Sequence, residues 1–276
     1  MPIKLSLCAQ EVRRHDWDRF LFTLFAPAEV REDIFTFLAF NSEVARTRDM
    51  VTEPLMGKIR LQWWQDAINC IYDGTFDAPQ HHYILEHLPK VILGHGLTKT
   101  HIQKLIVTRH ADLLDQPPRN EQALLDYAFG TSAVLNILLL EIIGERKTLL
   151  DSASELGIAW ALTGLIRALP HLAKQGRSPL PTDSIAPEQN LQEFNSEIGQ
   201  AVQSICVLAK EHLERSRIRD VPVERSHRPV FLSSILTAHY LNQISKSGYN
   251  PYSLGTKRGY LGRQIKVGMG ALFRTY

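Results

Sequence analysis

"AFNSEVARTRDMVTEPLMGKIRLQWWQDAI", residues 39–68, reads as a helix, a short break and a second helix carrying two adjacent tryptophans. Val30, Ile34, Phe37, Leu38, Val44 and Ala45 recur at helical spacing and predict a helix over 30–49 with those residues on its inward face. "TEP" at 52–54 breaks the pattern. Ile59, Trp63, Ala67, Ile68 and Ile71 then predict a second helix over 58–72. The first helix has a polar inward edge with room for acids, yet Ala45 and Arg46 stand where carboxylates would make a site. Residues four apart on a helix share a face, so 45 and 49 form one pair and 168 and 172 another. Two such acid pairs on facing helices would cage Mg²⁺ ions, which take oxygen ligands and hold a diphosphate. Of these four positions, only Asp49 is acidic.

Outward from this stretch, helical periodicity dominates. Further helices are predicted at 83–93, 98–115, 121–144, 149–169, 187–218 and 228–246. The breaks fall at 72–79, 116–120 and 176–183, where Gly, Pro, Asn and Asp gather. No strand alternation is sustained, and there is no repeat or low-complexity linker. One all-α domain follows.

The 276 residues are 44% hydrophobic and 22% charged, enough for a sizeable core. A net charge of +2 excludes a wholesale nucleic-acid binder, so only local clustering can matter. Cys8, Cys70 and Cys206 have neither metal-ligand nor disulfide spacing, which implies a reducing compartment. No signal peptide and no transmembrane run are read. The longest apolar stretch, "AVLNILLLEII" at 133–143, contains Asn136 and Glu141 and reads as a core helix.

The end of the chain differs. Residues 246–276 hold Lys246, Lys257, Arg258, Arg263, Lys266 and Arg274 and no acid, while the first 245 residues are net negative. Aromatic and aliphatic residues alternate there with glycines. The expectation is a basic tail with no stable amphipathic helix in water, ordering only on contact with an acidic surface. Such a tail suits anionic lipid, since Tyr, Leu, Ile and Phe can sit at the headgroup boundary. It lacks a recognised nucleic-acid motif.

These motifs resemble the squalene and phytoene synthases, all-α head-to-head prenyltransferases. "AFNSEVARTRD" fits the frame of that family's first acid motif. Asn41 takes the place of a cysteine, Ala45 and Arg46 replace the two adjacent aspartates, and Asp49 survives. "LGIAWALTGLIRALPHLAKQGRSPLP", 156–181, follows the second motif through Leu156, Gly157, Ala159, Thr163, Arg167, Gly176, Arg177, Leu180 and Pro181. There Ala161 replaces a glutamine, Gly164 an asparagine, Ala168 an aspartate, and His171 and Leu172 a glutamate–aspartate pair. "YAFGTSAVLN", 127–136, resembles the helix between the two motifs. The likeness is strong over roughly 15–185 and fades beyond. "EPL…IRLQWW" and "LIRALPHLAKQGRSPLP" are similar to a branch of non-catalytic relatives that includes a mitochondrial factor for assembling respiratory complex I.

The resemblance implies a single-domain isoprenoid-synthase-type helical bundle at 1–245, followed by the basic tail at 246–276. It implies a scaffold kept and its charges removed, with no catalytic residue, metal or cofactor. Mg²⁺ enters only if the chain is instead an active prenyl-diphosphate transferase with an atypical site. The candidate cavity-lining or ligand-binding residues are Arg46, Asp49, Trp63, Trp64, Tyr127, Arg167 and Arg177. Each has a plainer reading. Trp63 and Trp64 read more readily as one core anchor and one partly exposed neighbour than as the lining of a lipid pocket. Arg167 binds a phosphate or an acidic partner, or else pairs with Asp49 across a central cavity. His81 and His82 read as a solvated loop, and His171 lacks an orienting partner. Pro170 is expected to kink or end its helix. The expected role is a bacterial assembly or maturation factor, cytoplasmic and peripheral at the inner membrane. Its expected partners are a respiratory complex subunit, a lipid or isoprenoid and the membrane surface, with no nucleic acid. A lipid-binding module with no partner protein is the plainer alternative.

Overall fold

Short polar side chains cap the first helices. Ser6 accepts a hydrogen bond from the Ala9 N–H and opens α1 (Leu7–His15), and Asp16 accepts from the Arg19 N–H and opens α2 (Trp17–Thr23). The computed structural model describes residues 5–77, 82–145, 147–185, 190–217, 223–254 and 260–273. α3 (Ala28–Ala45) is followed by a 3₁₀ turn (Thr47–Met50). α4 (Pro54–Asp73) starts with a proline whose missing N–H costs nothing there, and ends at Gly74 with φ 70°. Then come α5 (Leu88–Gly94), α6 (Lys99–Thr108), α7 (Glu121–Ala128) and α8 (Val134–Ile143). The chain finishes with α9 (Leu150–Lys174), α10 (Ser196–Arg215), α11 (Arg228–Phe231), α12 (Ser233–Lys246) and α13 (Tyr260–Phe273). Among the described residues there is no strand.

The centre of the bundle is α8 against α9. Every residue from Val134 to Ile142 is buried. α7 and α8 are joined by one π turn, Phe129–Ala133. α9 crosses this turn at Gly157, where a Cβ would lie 2.4 Å from the Ala133 Cα. Only glycine permits that approach. The segment Glu121–Ile143 and α9 are each long and apolar enough to cross a membrane; here the first is mostly buried and the second half-buried in the bundle.

Several expectations change. The 30–49 helix ends at Ala45, where the Arg46 N–H closes onto the Ser42 carbonyl. Residues 45 and 49 therefore do not share one α-helical face. α9 does not stop at Pro170 but runs on to Lys174, with the one backbone donor at Pro170 missing. The 121–144 helix contains the π turn, and the 228–246 helix divides at Leu232. The 187–218 helix begins at Ser196, because the Asn195 side chain caps the Ile198 N–H. The inward face of α4 is Leu61, Trp64, Ile68 and Ile71, which leaves Ile59 and Trp63 outside.

The 246–276 segment, expected to lack a stable helix, contains α13. Val267 and Ala271 are buried against Leu21, Phe22, Leu232, Leu236 and Tyr240. Lys257, Arg258 and Arg274 lie outside the described residues, as does His81.

Candidate functional site

The end of α3 is fixed by ion pairs. Arg46 donates to Glu11 at 3.2 Å, and Glu11 also holds His15 at 2.9 Å. Arg48 grips both carboxylate oxygens of Asp115, Nε at 2.9 Å and Nη2 at 2.6 Å. Asp115 has φ 51°, a left-handed conformation that aspartate tolerates better than most side chains. Arg177 follows α9 through Gly176, φ 72°, and reaches Asp115 at 3.2 Å and Asp49 at 3.9 Å. The Arg48 hydrogen bonds hold the Asp115 carboxyl below its ordinary range, and the charges of Arg48 and Arg177 add to this against partial burial.

Asp49 sits on the outside of this network, its side chain 57% exposed. It lines an open cleft with Arg48, Val51, His171, Gln175 and Arg177. Ala45, Ala168 and Leu172 offer no side-chain oxygen. A Mg²⁺ cluster of the kind that binds diphosphate needs several carboxylates on one cavity. One solvent-facing aspartate between two arginines does not fit it. Among the described residues, no group of three or more His, Cys, Asp or Glu side chains is placed to share a metal ion.

The second acid position has become apolar. Leu165 and Leu172 of α9 line a cavity of about 230 Å³ with Leu114, Pro117, Pro118, Leu124 and Tyr127, and Arg177, Asp112 and Asp115 edge it. The Tyr127 hydroxyl donates to Asp112 at 2.8 Å and accepts from Arg109 at 2.8 Å. Burial pushes this phenol far above its ordinary pKa, so it stays protonated and serves as a tether rather than a base.

The expected Asp49–Arg167 pair is absent. Arg167 lies on the α12 side of α9, its guanidinium carbon 3.6 Å from the centre of the Tyr240 ring. It lines a different cavity, about 230 Å³, with His15, Trp160, Thr163, Gly164 and Arg263. The pairing fails because the chain leaves the α-helical path after Ala45, which carries Asp49 to the surface.

The tryptophans divide. Trp64 is fully buried and meets Phe40 edge to face at 5.0 Å. Trp63 is 42% exposed. Neither lines the cavities above. His82 is not simply solvated: it stacks on Tyr83, and its Nδ1 accepts from the Leu85 N–H at 3.3 Å. His171 meets the Gln175 side chain at 3.2 Å. Sequence reasoning missed Asp115, whose signal is an acid directly before the "QPPRN" break. It also missed α1 and α2, which bring Glu11 to Arg46 and place Asp16 and Asp18 in the cavity of Arg167. The caps at Ser6 and Asp16 were the available signal.

The sequence model of the squalene/phytoene synthase family matches residues 12–269. The chain belongs to that family. The match reaches residue 269, inside α13 and well past the point near 185 where the likeness was expected to fade. Complex I assembly factor 6 of Bos taurus is 31% identical over 260 residues, covering 91% of this chain and 77% of that protein. The Homo sapiens protein of the same name is 30% identical over 252 residues, covering 88% and 74%. Among solved structures, squalene synthase HpnC from Alicyclobacillus acidocaldarius superposes with a TM-score of 0.78 at 17% identity, over 89% of this chain and 94% of that one. That likeness establishes the fold, a squalene/phytoene synthase-type helical bundle.

Proposed function

We propose that this chain is a non-catalytic squalene/phytoene synthase relative that acts as an assembly or maturation factor for respiratory complex I. In this reading it is cytoplasmic and peripheral at the inner membrane surface. The carrying observation is the fate of the acid positions. Ala45, Ala168 and Leu172 carry no ligand oxygen, and Asp49 faces solvent beside Arg177. A prenyl-diphosphate transferase would then have to hold its diphosphate on arginines alone. Those arginines are engaged, Arg48 and Arg177 by Asp115 and Arg46 by Glu11. Further support comes from the names of the Bos taurus and Homo sapiens relatives, which describe assembly of complex I. The cavity lined by Leu165, Leu172 and Tyr127 is the proposed place for a lipid or isoprenoid chain, because its lining is mostly apolar.

The test is deletion of the gene in its host, with assembled complex I read on native gels. Loss of the complex, restored by the wild-type chain and by an Asp49→Asn chain alike, is expected. An undiminished complex would sink the assembly role. Loss of a prenyl product instead would favour the transferase.

A further inference from the structure

α13 has two apolar faces, and the fold uses only one. Val267 and Ala271 are buried against Phe22 and Leu236. From the same side Arg263 donates to Asp18 at 2.8 Å and to the Tyr240 hydroxyl at 3.2 Å. On the opposite side Ile265, Met269 and Leu272 follow at i, i+4 and i+7, exposed by 52%, 51% and 77%.

One edge of this stripe carries a cation, and the other borders two arginines of α1 across a cleft. Lys266 is exposed on one edge. On the other, Gln264 borders a surface cleft with Gln10, Arg13, Arg14 and Trp17. α13 itself contains no Asp or Glu. The acids facing it from neighbouring elements are already engaged: Asp18 by Arg263 and Tyr240, Asp16 by Arg19 at 2.8 Å. Glu11, on α1, is held by Arg46 and His15. The field around the stripe is therefore positive.

We infer that the outer face of α13 is a docking surface for an anionic lipid bilayer. Ile265, Met269 and Leu272 enter the headgroup–acyl boundary while Arg13, Arg14 and Lys266 meet lipid phosphates. This rests on the membrane-surface part of the proposed function and assigns the face responsible. An interfacial helix combines an apolar stripe with cations on its borders, and long basic side chains can reach past apolar neighbours to the phosphates. The Arg263–Asp18–Tyr240 contacts hold α13 in place beforehand, so the stripe is presented without the entropic cost of ordering a loose tail. A second exposed stripe, Leu55, Met56, Ile59 and Trp63 on α4, is bordered by exposed Glu53 and Asp66 as well as Lys58. It lacks the charge complementarity and serves as the control.

The experiment is flotation of the full chain with vesicles of phosphatidylcholine alone and of equal parts phosphatidylcholine and phosphatidylglycerol. The wild-type chain should float with the anionic vesicles and detach as salt is raised. Ile265→Ser/Met269→Ser/Leu272→Ser should lower the partition coefficient by about tenfold or more. Arg13→Gln/Arg14→Gln should lower it about tenfold on anionic vesicles only. Leu55→Ser/Ile59→Ser should leave it unchanged. Circular-dichroism melting checks that each variant is folded, and the two exposed arginines keep the test independent of any misfolding of the apolar variant. Equal binding to both vesicle types, binding untouched by both the apolar and the arginine variants, or loss with the α4 variant alone would overturn the inference. So would an apolar variant that splits a dimer and leaves flotation unchanged, because the face would then join two copies. Vesicle binding is read on purified protein and complex I on the deletion strain, so either reading can fail while the other stands.

Discussion

The two regions where the family resemblance expects acid motifs are built in different ways. At the end of α3 the backbone itself departs from a continuous helix, and the side chains become an arginine–carboxylate network built on Glu11 and Asp115. In α9 the helix continues through Pro170, and the positions become Ala168 and Leu172, the latter an apolar wall. Where the family resemblance expects acids, one region holds self-neutralising charge and the other hydrophobic contact.

The largest effect is expected where α9 meets the π turn. Gly157→Ala should cost about 3 kcal/mol or more in urea unfolding, because the new Cβ meets backbone atoms that cannot rotate away. A loss below about 1 kcal/mol would show that α9 is not pinned there. Next is Leu172→Asp, which returns an acid to the second motif. It should cost about 2 kcal/mol by removing apolar contact and placing a carboxylate on an apolar wall. An unchanged stability would mean that the wall still suits an acid, and the contrast between the two regions would weaken.

Asp115→Asn tests the first region. Asp115 is partly exposed and screened, so the loss near neutral pH should be at most about 1 kcal/mol. The pH dependence has a definite sign. A carboxyl held below its ordinary pKa contributes stability above the unfolded value of 3.8, and that contribution is lost as pH falls through the folded value. The gap between wild type and variant should therefore close on acidification; a gap that widened would contradict the assignment. Asp49→Asn is the smallest, within about 0.5 kcal/mol of wild type, because its side chain faces solvent.

The helical bundle and the family frame were legible because both rest on local periodicity and motif spacing. The boundaries of α3 and α9 were not. Where a chain leaves an α-helix, as at Arg46, depends on tertiary partners such as Glu11, which lies 35 residues away. The same holds for α4, where the periodicity of Ile59 and Trp63 was real but faced outward. Two apolar stripes share that helix, and only packing chose the one led by Leu61 and Trp64. α13 was read as unstructured because its glycines lower intrinsic helicity; Val267, Ala271 and the Arg263–Asp18 contact compensate through burial that a local pattern does not reveal.

The most direct measurement is diphosphate release from farnesyl diphosphate by the purified full chain, with and without Mg²⁺. The expected result is no metal-dependent release, and no difference between the wild-type chain and its Asp49→Asn variant. Mg²⁺-dependent release that disappears in Asp49→Asn would contradict it, because the one surviving acid would then be a working metal ligand.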